Sequence, residues 1–219
     1  MPPYDRAVAA VLCFGDSNTW GSHPETGERL GRDVRWPGVL RRSLGDVDVV
    51  EEGLPGRTAA SHDPLRPHWT ALPYLLPALE SHAPLDVLVL MLGTNDVQER
   101  YGLTAGTIAD QIAGLADIAA GSACGPAGGS PAVLLVAPPP LGRLADALSE
   151  AEYGPGIEKS RALAPLLAAA AETADYPCDF LDGGSVAALS AADGIHLDAE
   201  AHERLGRAIA ERVSILLGR

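Results

Sequence analysis

The stretch "CFGDSNTWG" (13–21) carries Ser17 straight off the end of an apolar run into small and polar residues. Far along the chain, "AADGIHLDAEAH" sets Asp193 and His196 three residues apart, ahead of an amphipathic segment. Together these three types can do acyl-transfer chemistry. An aspartate that accepts the Nδ1–H of a histidine fixes the ring's tautomer, and Nε2 can then take a proton from a serine hydroxyl. Two further segments offer the donors that such a reaction needs. "MLGTNDV" (91–97) ends the most apolar run with Asn95, whose side-chain NH₂ could face a developing oxyanion. "EEGLPGRT" (51–58) carries Gly56, where the absence of a Cβ would let a backbone N–H approach a ligand.

Each segment alone is ordinary turn chemistry, because Gly, Asp, Ser and Asn are the usual turn formers. A lone D-x-x-H before a helix likewise reads as a polar loop and a cap. Their common placement changes the balance. Apolar runs at 7–14, 47–52, 85–92, 132–138 and 178–183 read as five strands. The third and fourth are apolar at nearly every position, as parallel strands covered on both faces are. Helical patterns lie at 36–45, 104–120 and 158–174, and a last helix begins near Ala199 with Asp198 as its N-cap. In that helix Ala201, Leu205, Ala208, Ile209, Val213 and Leu216 form the apolar face, and His202 is expected to be solvated. Residues 64–82 hold Pro64, Pro67, Pro73 and Pro77, so a broken or irregular helix is expected there. The segment 138–156 is a long excursion after the fourth strand, placed where a lid or pocket wall would sit.

Alternating strands and helices imply a doubly wound parallel sheet. The four segments then fall on one rim, at the carboxyl ends of the strands, where open α/β sheets place their ligands. A nucleophile, a base, an orienter and oxyanion donors make a full set for acyl transfer. The pattern is not the G-x-S-x-G elbow of α/β-hydrolases, and no G-x-G-x-x-G phosphate fingerprint follows the first strand.

The 219 residues fit one domain spanning 1–219, with 47% apolar and 21% charged residues, a globular balance. A formal net charge of −13 argues against nucleic-acid and anionic membrane surfaces as partners. Cys13, Cys124 and Cys178 form no CxxC pair, and reduced thiols in a cytoplasmic protein are expected, with Cys13 a small core residue. The N-terminal stretch has no basic segment followed by a long apolar run, and no segment reads as membrane-spanning. Neither a metal nor an organic cofactor is expected, since there is no H-E-x-x-H and no Cys/His cluster.

The ordered blocks "GDSNTWG", "GLPGRT", "GTND" and "DGIHL" resemble those of SGNH (GDSL-type) hydrolases, and they span nearly the whole chain. More narrowly, "RWPGVL", "VEEGLPGRT", "MLGTNDV" and "APPPL" are similar to the bacterial arylesterase and acyltransferase branch. The resemblance implies a three-layer α/β/α flavodoxin-like fold and a serine esterase acting on small aryl or alkyl esters. It makes Ser17 the nucleophile, His196 the base and Asp193 its orienter. The oxyanion hole would be the Ser17 and Gly56 backbone N–H groups with the Asn95 side chain. Water or an alcohol would receive the acyl group, and the branch tends to form homo-oligomers. Carbohydrate acetylesterase, thioesterase or lysophospholipase action is the alternative within the fold, and a noncatalytic binding module the alternative outside it. Trp20, Thr94, Val97 and Ile195 flank the motif residues and are expected to line the substrate pocket. Asn18 stands where the family commonly has Leu, and Glu51 where many members have Asn. Both departures bear on substrate preference rather than on the reaction.

Overall fold

Alternation along the apolar runs determines the layers. The computed structural model describes residues 8–219; the N-terminal stretch read above and Ala7, the first residue of the expected first strand, lie outside the described residues. The strands are β1 (Ala9–Gly15), β2 (Val47–Gly53), β3 (Val87–Met91), β4 (Ala132–Ala137) and β5 (Cys178–Asp182). They pair in parallel as one five-stranded sheet, in the order β2-β1-β3-β4-β5. That order is flavodoxin-like. The helices are α1 (Ser17–Trp20), α2 (Trp36–Leu44), α3 (Leu72–His82), α4 (Ala105–Ala120), α5 (Ala147–Tyr153), α6 (Ile157–Thr173) and α7 (Ala199–Leu216).

Leu12 and Phe14 of β1 and Leu88 and Leu90 of β3 pack with Leu75, Ile108 and Leu163 of α3, α4 and α6. Their neighbours Val11, Cys13, Val87 and Val89 pack on the opposite face with Leu40, Leu205 and Ile209 of α2 and α7. A two-residue period thus feeds two apolar layers at once, which is why these strands carry almost no polar residues. Thr104 caps α4 by accepting from Thr107 N at 3.1 Å, and Asp198 caps α7 by accepting from Ala201 N at 2.8 Å. Among the described residues, no helix is long and apolar enough to cross a membrane.

Two expectations are corrected. Within the proline-rich segment, Pro67–Trp69 makes a separate 3₁₀ turn, but Leu72–His82 forms one unbroken helix, α3, with Pro77 inside it. Pro73 occupies the first turn, where a missing N–H costs nothing, and Pro77 lies on the exposed face while Leu75, Ala78 and Leu79 anchor the buried one. His202 is not solvated but fully buried, and its Nδ1 accepts from Trp36 N at 3.2 Å where α7 crosses α2. The crossing is close because residue 206 is glycine: a Cβ there would come within 2.5 Å of Val39 Cβ. Glu51 on β2 also belongs to this scaffold. Its carboxylate accepts from Arg35 at 2.6 Å and 2.9 Å, with Arg29 and Arg41 each 3.5 Å away, and so holds the entry to α2.

Burial pushes the His202 pKa down to about 4, against the pull of Asp198 and with a further push from Arg35. The unfolded chain, with an ordinary histidine near 6.5, therefore takes up the proton first as pH falls. The stability that neutral His202 supports is complete above about pH 6.5 and is lost on descending toward pH 4. His202→Asn keeps an acceptor for Trp36 N and removes the titration. Denaturant unfolding should find the wild type losing about 2–3 kcal/mol more than this variant between pH 7 and pH 4. Asp16 and Asp96 titrate in the opposite sense but are common to both proteins. Parallel pH profiles would refute the assignment.

Candidate active site

β1 ends at Gly15 and the chain turns at once into α1, whose N-cap is Asp16 and whose first residue is Ser17. The Asp16 carboxylate accepts from Asn18 N at 2.9 Å, an interaction that closes the turn and presents the serine at the sheet's carboxyl rim. At the other end of the chain, the Asp193 carboxylate accepts from the Ile195 and His196 amides at 2.9 Å and 3.0 Å. Its second oxygen is 2.6 Å from His196 Nδ1, and His196 Nε2 is 3.0 Å from Ser17 Oγ. Aspartate, imidazole and hydroxyl are in line. Burial raises the Asp193 pKa, but hydrogen bonds from the His196 ring and the two amides outweigh it and leave the carboxyl below its ordinary value. That carboxylate is an acceptor for a proton on Nδ1, an arrangement that leaves Nε2 as the acceptor facing the serine hydroxyl.

Asn18 holds the two ends together. Its Nδ2 donates to Ile195 O at 3.1 Å and its Oδ1 accepts from Leu197 N at 3.0 Å, so it clasps the chain on both sides of His196. The side chain is buried, as is the Ser17 turn it belongs to. Asn18, expected to bear on substrate preference, instead fixes the position of His196, and Glu51 holds the scaffold.

The loop after β2 brings Gly56 to the same rim. Gly56 has φ +82°, and a Cβ would lie 2.7 Å from the Trp69 ring, so the turn admits only glycine. Buried Arg57 secures this loop: it donates to Gly15 O at 3.0 Å and to Glu52 O, and its guanidinium lies 4.1 Å from the Phe14 ring centre. From the end of β3, Asn95 Nδ2 donates to Arg57 O at 3.0 Å and reaches Asp16 at only 3.5 Å. One amide hydrogen is therefore loosely held. Asn95 Oδ1 accepts from Tyr153 OH at 3.1 Å and lies 3.4 Å from Gln98 Nε2, which fixes the amide's orientation. Gln98 Nε2 in turn donates to Tyr153 OH at 2.5 Å. Below this layer, burial raises the Asp16 carboxyl to about 6 and Asp96 to about 7, and Asp96 accepts from Ala59 N at 2.8 Å.

Ser17, Gly56, Asn95 and His196 line one cleft of about 310 Å³. A larger recess of about 530 Å³ between α4 and α6 contains none of them. The four expected pocket residues lie elsewhere. Val97 is fully buried under Gly156, and Thr94 and Ile195 are buried behind the rim. Trp20 is half-buried with Arg29 over its ring at 5.2 Å. The cleft wall is instead built by Trp69, Gln98, Arg66, Arg100, Glu152 and Tyr153. The last two come from the 138–156 excursion, which forms a wall, and Gln98 and Arg100 follow the "GTND" block directly. Arg66 and Trp69 sit in the proline-rich segment, where no motif marks them.

A family model described as "GDSL-like Lipase/Acylhydrolase family" matches residues 13–204. The chain belongs to this family. A carbohydrate acetylesterase from Sinorhizobium meliloti is similar at 39% identity and TM-score 0.91, covering 95% of this chain and 99% of its own. The native aryl esterase of M. smegmatis is similar at 39% identity and TM-score 0.90, over 95% of this chain and 100% of its own. A member of the lipolytic protein G-D-S-L family from Veillonella parvula, at 16% identity and TM-score 0.64, covers 94% of this chain and 98% of its own and shares the fold. Comparison with curated proteins returns no match.

Asn18→Leu, which restores the side chain common in the GDSL family, should be damaging here. It strands the Ile195 carbonyl and the Leu197 amide in a buried setting, at about 1–3 kcal/mol for each unmet group. Denaturant unfolding should show a loss of about 2–6 kcal/mol for the two groups together, and kcat should fall because His196 loses its clasp. Unchanged stability and turnover would contradict this role for Asn18.

Proposed function

We propose that the protein is a serine esterase that forms an acyl-enzyme on Ser17. The observation that carries this reading is the line from Asp193 through His196 to Ser17 Oγ, at 2.6 Å and 3.0 Å. In the first step Ser17 Oγ attacks the ester carbonyl while His196 Nε2 takes its proton. The carbonyl oxygen, now an alkoxide, is received by the Ser17 and Gly56 amides and by the loosely held N–H of Asn95. Asp193 offsets the positive charge on the imidazolium without taking its proton. Collapse of the tetrahedral adduct expels the alcohol, which leaves with the proton from His196. Water or an alcohol, deprotonated by the same nitrogen, then releases the acyl group. Every step is assigned to groups of this chain.

A cleft of about 310 Å³ suits small aryl or alkyl esters. Deacetylation of sugars is the second reading, favoured by the likeness to the S. meliloti carbohydrate acetylesterase. A noncatalytic module is the poorer account, because binding alone has no need of a histidine held in one tautomer against a serine hydroxyl.

Ser17→Ala should abolish turnover of para-nitrophenyl acetate and leave the unfolding midpoint near that of the wild type. Asn95→Ala should lower kcat by about 10²–10³ with a smaller effect on KM. A change confined to KM would make Asn95 a residue that positions substrate. With a short alcohol added, the products should include a new ester as well as free acid. Free acid alone at every alcohol concentration would remove acyl transfer from the proposal.

A further inference from the structure

We propose that Arg66 and Arg100 form an anion-binding subsite beside Ser17, and that the esters this protein prefers carry a carboxylate away from the scissile bond. The inference rests on the esterase reading above and adds the substrate class. Both arginines line the cleft that holds Ser17 and His196. The Arg66 guanidinium lies 4.2 Å from the Trp69 ring centre, and that of Arg100 lies 5.9 Å from the same ring and 4.8 Å from Tyr101. Trp69 is packed directly on Gly56, so the two cations stand about one ring away from the oxyanion side of the site.

Their pairing is incomplete in a way that points to a ligand. The protein has a formal net charge of −13, and arginines such as Arg35, Arg42, Arg207 and Arg212 are engaged by carboxylates. Arg66 has no ion pair among the described residues, although its guanidinium offers five N–H donors. Arg100 gives one nitrogen to Asp63 at 3.3 Å, which leaves much of its planar fork for a second acceptor. The opposing charges are Glu152 in the cleft wall and Asp63 behind Arg100, so one carboxylate faces two guanidinium groups inside the cleft. Stacking on aromatic faces holds both cations in place without neutralising them, which is how an arginine is kept ready for a carboxylate. Room for the charged end is available as well. Both arginines also border an adjoining recess of about 300 Å³ lined by His62, Leu65 and Tyr101.

The test compares kcat/KM for a charged ester with that for its methyl-capped counterpart. One arm places the carboxylate on the acyl half, with mono-para-nitrophenyl adipate against its methyl ester. The other places it on the alcohol half, with para-acetoxybenzoate against its methyl ester. In at least one arm the charged-to-capped ratio should be about tenfold higher for the wild type than for an Arg66→Gln/Arg100→Gln variant. In that arm the wild-type ratio should also fall as salt is raised. Arg66→Gln alone, at an exposed position, should lower the ratio in the same arm and guards against misfolding of the double variant. Equal ratios for wild type and variants in both arms would overturn the subsite while leaving the esterase reading intact. No turnover of any of the four esters by the wild type would overturn both.

Discussion

The site depends on holding together two segments from opposite ends of the chain, and two hydrogen bonds from one amide do most of that. Ser17 rides on the turn after β1, and His196 sits in the loop before α7, 179 positions later. Asn18 sits beside Ser17 and clasps the chain before and after His196. Both bonds are buried, where an unmet partner is costly, so the clasp has one low-energy arrangement. The sheet brings the segments near each other, and Asn18 fixes their register to hydrogen-bond precision. Asp193 then only has to orient the ring.

The same division of labour runs around the rim. Apolar alternation in β1, β3 and β4 builds a rigid platform, and polar groups at the strand ends hold one another rather than the core. Arg57 ties the Gly56 loop to Gly15, Asn95 ties β3 to Arg57, and Tyr153 with Gln98 turns the Asn95 amide toward the cleft. Asp96 reaches beneath the rim to Ala59 N. Burial raises the Asp16 and Asp96 carboxyls, whereas at Asp193 hydrogen bonds from the His196 ring and the Ile195 and His196 amides outweigh burial and keep the carboxyl low. Two acids therefore serve as braces, and a third keeps its charge for the imidazole.

Much of this was legible in the sequence, for identifiable reasons. β1, β3 and β4, buried on both faces, announce themselves as continuous apolar runs. The five expected ranges, including the half-buried edge strands β2 and β5, lie within two residues of the observed strands over the described residues. Ser17, Gly56 and Asn95 sit in short blocks after strand ends and Asp193 and His196 in the loop before α7, and the fold gathers them into one place. Other features depend on long-range contacts that no local pattern encodes. His202 looks like a helix-face residue until α2 packs over it through Gly206. α3 looks broken until its prolines are seen to fall in the first turn and on the wet face. Adjacency alone makes Trp20, Thr94, Val97 and Ile195 natural pocket residues, but Thr94, Val97 and Ile195 turn into the interior and Trp20 packs under Arg29. The wall comes instead from Trp69, Arg66 and Tyr153, carried by segments remote in sequence.

The central claim is that the hydrogen-bonded line from Asp193 through His196 makes Ser17 the nucleophile. The most direct measurement is reaction with an aryl phosphonate ester that mimics the tetrahedral adduct, followed by intact mass and peptide mapping. The account predicts one phosphonyl group per chain, located on Ser17, with loss of esterase activity in step with labelling. It also predicts much slower labelling in Asp193→Asn, where the base loses its charged orienter. A label on another residue, or full inactivation with Ser17 unmodified, would contradict it.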